Sequence, residues 1–81
     1  MNINELKLMG IRIGELYEEG VISIYKDHIR ENLSRVHLTD EVFKEFSEGR
    51  EVKRTAHGSV FDEEFFEEDN VTFFHLVERD E

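Results

Sequence analysis

Four histidines (His28, His37, His57 and His75) and a run of six carboxylates in eight positions, Asp62-Glu63-Glu64-Phe65-Phe66-Glu67-Glu68-Asp69, are the residues whose types could carry chemistry. Imidazoles and carboxylates bind metal ions and move protons, and carboxylates in number also present a negative field to a cationic partner. The histidines never stand at the i, i+4 spacing of a helical ligand pair, and no H-E-x-x-H is present. The acid run lacks the alternating ligands and central glycine of a calcium loop. With no Cys in the chain, zinc-thiolate sites, disulfide frameworks and cysteine nucleophiles are excluded.

Acid–base catalysis needs one carboxyl whose pKa is raised by burial beside another that stays ionised. A run as polar as Asp62–Asp69 reads as solvated throughout, and neither G-x-S-x-G nor a phosphate-cradling glycine loop accompanies it. His75 shares a strand face with Val71, Phe73 and Val77 and reads as a half-buried, neutral imidazole bonded within its sheet. The expectation is a protein without catalysis, metal or cofactor.

Charge is distributed unevenly. Residues 1–58 hold 11 acids and 9 bases, whereas residues 59–81 hold 9 acids and the single base Arg79, so most of the net charge of −10 lies near the C-terminus. Such crowding costs stability by self-repulsion, and solubility alone would be served by scattered charge. Extended, the run spans roughly 26 Å, or about one carboxylate per 4.4 Å; as helix it spans roughly 12 Å, about one per 2 Å. Nucleic-acid backbones carry about one charge per 1.7 Å in a duplex and per 3.4 Å in a single strand. The run therefore has the charge density a phosphate-binding groove accepts, and Phe65 and Phe66 within it supply an aromatic contact. The same charge argues against direct binding to nucleic acid or to an anionic membrane.

The elements that must position these residues fit one domain over 1–81. Asn2 and Glu5 suit a helix N-terminus, with Ile3, Leu6 and Met9 on one face and Gly10 as its C-cap. A longer helix to Glu19 is the competing assignment and must carry Gly10 and Gly14, each at a cost of about 1 kcal/mol. Ile11–Tyr17 and Val21–Asp27 around Glu18-Glu19-Gly20 read as a hairpin, His28–Asn32 as a turn or helical piece, and Leu33–Leu38 as a strand. Thr39 caps a helix over Asp40–Glu48 that buries Val42, Phe43 and Phe46 and ends at Gly49. Glu51–His57 alternates like an edge strand, and Val71–Val77 is apolar on both faces, as is a strand that is central in its sheet or covered by a helix on one side and a partner on the other. The fold class is α+β, an antiparallel sheet of four to five strands with two short helices packed on it. No apolar run approaches the roughly 18 residues of a membrane span, and a cytoplasmic protein is expected.

In the segments GELYEEGVISIYKDHI (14–29), VHLTDEVFKEF (36–46) and VTFFHLVERD (71–80), the chain resembles the short acidic orphan proteins encoded by phages and prophages of Gram-positive bacteria. The resemblance covers length and element order and carries no motif, so no functional residue transfers from it. It implies a setting in the host-cell cytoplasm, and a role of the kind such proteins often have: inhibition of host defence nucleases, as in anti-restriction and anti-CRISPR proteins, some of which occupy a nucleic-acid channel.

Two functions follow as expectations. In the first, a non-catalytic inhibitor acting as a DNA mimic docks Asp62, Glu63, Glu64, Phe65, Phe66, Glu67, Glu68 and Asp69 on the basic nucleic-acid-binding surface of a host protein, with Glu78, Asp80 and Glu81 extending the surface. In the second, a structural or regulatory subunit associates with itself through the aromatic strand Val71–Val77 and Phe61. The protein is a monomer or homodimer in either case.

Overall fold

The computed structural model describes residues 2–26 and 34–79, and the segment His28–Asn32, together with Asp80 and Glu81, lies outside the described residues. The elements are α1 (Ile3–Glu18), β1 (Val21–Lys26), β2 (Ser34–Leu38), α2 (Asp40–Ser47), β3 (Lys53–His57), β4 (Phe61–Glu68) and β5 (Val71–Glu78). The strands form one sheet in the order β1-β2-β5-β4-β3. The class is α+β as expected, and all pairings are antiparallel save β2 with β5, which is parallel.

The N-terminal third corrects the sequence reading. The helix does not stop at Gly10 but runs to Glu18, so the hairpin expected between Ile11–Tyr17 and Val21–Asp27 does not form. Its start is as expected: Asn2 Oδ1 accepts from the Glu5 amide at 2.9 Å, and the Glu5 carboxylate accepts from the Asn2 amide at 3.4 Å. Between those ends stand Leu, Met, Lys, Arg and Glu, whose straight side chains lose little freedom in a helix and outweigh the two glycines. Gly20, not Gly10, turns the chain. Its φ is 108°, and a Cβ there would collide with Val42 Cγ2 of α2.

Thr39 caps α2 as expected, and Gly49, with φ 78°, follows its end. Phe43 is buried beneath α2 and Val42 partly so, but Phe46, expected on the buried face, stays exposed. Leu38, Phe43 and Phe66 form the core, with Val21, Val36, Val42 and Phe73 packed around them. α2 thus covers one face of the sheet. No described helix covers the other: every residue of α1 but Leu16 is exposed, and even Leu16 is only half-buried.

β4 and β5 are joined by Asp69-Asn70 with φ of 51° and 64°, the left-handed pair of a two-residue hairpin turn. β5 is the central strand that its apolar faces foretold, with Thr72, Phe74 and His75 buried.

Candidate functional site

The acid run, expected as one solvated surface, is strand β4 and the first residue of its turn. Alternation along the strand divides it. Asp62, Glu64, Phe66 and Glu68 point to the face that α2 covers, and Glu63, Phe65 and Glu67 to the open face, in register with His75 and Phe73 on one side and Leu76 and Phe74 on the other. Most of its carboxylates meet cations of the same chain. Asp62 accepts from Arg54 Nε and Arg79 Nε, both at 2.9 Å. These hydrogen bonds, that from Arg79 foremost, hold its carboxyl below the usual carboxylate range. Glu68 pairs with Arg50 at 2.5 Å.

On the open face Glu63 is buried and paired with Arg35, with His57 Nδ1 3.7 Å away. The expectation of a run solvated throughout is corrected accordingly. Glu63 is buried at the middle of the sheet, and Phe66, 5% exposed, belongs to the core beneath Phe43. Phe65 is half-buried, while Glu67, Glu68 and Asp69 face solvent at the hairpin end. Glu78, expected to extend the surface, stands opposite Phe61 at the far end of β4.

His75 also differs from its expectation. It is 3% exposed, with Nδ1 2.8 Å from Asp40 Oδ1 and Nε2 2.7 Å from Glu64 Oε1, and its ring stacks on Phe43 at 4.0 Å. The two carboxylates hold the ring from opposite sides, one at each nitrogen. No substrate reaches a side chain so enclosed. Its chemistry is that of a fastener, tying α2 to β4 through β5.

On the open face Phe74 lies under a polar roof. The Arg35 guanidinium sits 4.4 Å from its ring centroid, His37 stacks on it at 4.6 Å, and Tyr25 meets it edge-on at 6.3 Å. Desolvation, aided by the nearby His57 and His75, lowers the pKa of His37 from its ordinary value. An open hollow of about 310 Å³ lies toward the β3 edge of the sheet between Arg50, Glu51, Lys53, Phe65, Phe66 and Glu67. Two cations and two carboxylates line it, so it favours neither sign of ligand charge.

The surface that the sequence reading missed is α1. Ile3, Leu6, Met9, Ile13 and Tyr17 are each between 47% and 67% exposed. At 100° per residue they fall, with Gly10, Gly14 and Leu16, on one side of the helix, while Lys7, Arg12, Glu15 and Glu18 share the other side with the exposed Leu8 and Ile11. The 3–4–3 spacing of Leu6, Met9, Ile13 and Leu16 was the available signal, and breaking the element at Gly10 concealed it. An amphipathic helix usually turns such a stripe to its own core, whereas here it faces outward.

Comparison with known proteins adds no relative: no family model, no curated protein and no solved structure matches the chain.

Proposed function

We propose that the protein is a non-catalytic interaction subunit whose docking element is the apolar stripe of α1. The observation that carries this reading is the exposure of Ile3, Leu6, Met9, Ile13 and Tyr17 on one side of a helix without a single buried residue. Contiguous apolar area of this kind, bordered by charge, marks a protein-binding surface. Scattered apolar residues on a surface need no explanation, but five on one helical stripe do. The rest of the chain serves as the anchor: Leu16 and the close Gly20–Val42 approach hold the helix at its C-terminal end, and the sheet carries the charge that keeps the particle in solution.

The reading in which β4 enters a basic nucleic-acid groove rests on much less. Asp62, Glu63, Glu64 and Glu68 already face Arg54, Arg79, Arg35, His75 and Arg50, and a competing groove would have to displace those partners. The self-associating alternative retains its logic with a different element. Val71–Val77 of β5 are all buried or half-buried, and of that surface only Phe61 is exposed, whereas α1 is exposed along its length.

Stability at high dilution tests the docking reading. Met9→Gln and Ile13→Gln together should change the free energy of unfolding by no more than about 0.5 kcal/mol per site, as surface substitutions do. A loss of more than about 2 kcal/mol per site would place the stripe in the chain's own core and end the reading.

A further inference from the structure

We propose that the partner of α1 is α1 of a second copy of this chain, the two helices running antiparallel. The inference rests on the reading of α1 as the docking element and names its occupant. Charge selects it. Ile3–Glu18 holds three acids and two bases, so one unit of the chain's net −10 lies on the helix and the remainder on the body. The stripe therefore favours neither a strongly basic nor a strongly acidic partner, and α1 is where two such acidic chains meet with least repulsion.

Orientation follows from the same charge. A parallel pair would bring two acidic bodies together at one end. An antiparallel pair sets them at opposite ends of a 16-residue helix, about 24 Å long, which is more than two screening lengths of about 8–10 Å at physiological salt. Lys7 and Glu18 lie near opposite ends of one edge of the stripe, so each Lys7 then faces the Glu18 end of the other copy. On the opposite edge Arg12 is already matched by its own Glu15 at 3.2 Å. Gly10 and Gly14 lie within the stripe, and a Cβ at either would meet nothing within 4 Å, so no described residue outside the helix stands in the way of a second helix there.

The area is sufficient for a dimer of modest strength. Five side chains about half exposed offer roughly 500 Å² per copy, or roughly 1,000 Å² in total, the lower limit of a specific interface. Association should be reversible and concentration-dependent, with a Kd of about micromolar order.

Sedimentation of the full chain over a wide concentration range, beside the Met9→Gln/Ile13→Gln variant, is the test. A monomer–dimer equilibrium that the double variant weakens by more than roughly tenfold is expected. Because the chain has no Cys, orientation is read by mixing Leu6→Cys and Tyr17→Cys proteins under mild oxidation. The mixed disulfide should dominate. A predominance of like-with-like disulfides would overturn the antiparallel arrangement. A monomer at every concentration, with the glutamine variant as stable as the parent, would overturn self-pairing and leave the docking reading standing. A monomer whose glutamine variant is markedly less stable would overturn the docking reading itself.

Discussion

Arg35 on β2 and Glu63 on β4 form a buried ion pair across the intervening strand β5, the guanidinium passing over the face of Phe74 to reach the carboxylate. The side chains are 13% and 7% exposed, so both charges are largely withdrawn from water. The pair also closes the open face over Phe74, which no described helix shields. Glu63→Ala should destabilise by about 3–5 kcal/mol because it removes the carboxylate that faces a buried guanidinium, whereas Arg35→Met with Glu63→Leu should be near neutral. Urea unfolding of the single and double variants measures both, and a near-neutral single variant would show that the arginine finds water instead.

Reversal of single charges along β4 should divide its members by face and partner. Glu67→Lys, at the exposed hairpin end where water screens any ion pair, is expected to cost no more than about 1 kcal/mol. Glu63→Lys sets two cations against each other in a buried position and should prevent folding at room temperature. Circular dichroism of the two variants distinguishes this from a uniformly solvated run, in which both would be silent.

Acidification should weaken the fold in part through His37. Its pKa in the folded protein lies below the ordinary 6.5, chiefly because stacking on Phe74 desolvates the ring, so the unfolded chain binds the proton more readily. That contribution is complete above the unfolded value and is lost as the pH falls below it toward the folded one. His37→Gln should therefore lose less stability than the parent between pH 7.5 and pH 5, as followed by the urea midpoint. Equal losses in the two proteins would remove His37 as a cause.

Gly20→Ala should destabilise by about 2 kcal/mol or more, since a φ of 108° disfavours any side chain and the new methyl would press on Val42. Gly10→Ala, at a helical site open to solvent, should instead stabilise the lone chain by up to about 1 kcal/mol. Thermal melts at high dilution compare them, and the opposite ranking would contradict the assignment of Gly20 as the end of α1.

Salt separates the two modes of association. Docking by opposed charges weakens as salt rises, whereas pairing through α1 joins two acidic chains and should hold or strengthen from low to high salt. Sedimentation across that range checks the sign, and a steep loss of dimer with salt would favour a charge-driven interface.

Local chemistry was legible in the residues themselves. Asn2 with Glu5 and Thr39 before Asp40 announce helix starts because each satisfies backbone groups within its own turn, and Gly49 announces an end because its φ of 78° suits glycine. The two-faced apolarity of Val71–Val77 announces a central strand because only a strand covered on both sides needs it. The extent of α1 was less legible, since two glycines weigh against a helix by an amount comparable to everything local that favours it.

The meaning of the acid run was decided by tertiary structure alone. A strand sends neighbouring side chains to opposite faces, and what each carboxylate then meets depends on strands brought from elsewhere in the chain: Arg35 from β2, Arg54 from β3, His75 from β5. Linear charge density carries no information about those partners. The open stripe of α1 is likewise a tertiary fact, because amphipathic spacing shows that a helix has an apolar side and only the fold shows whether anything covers it.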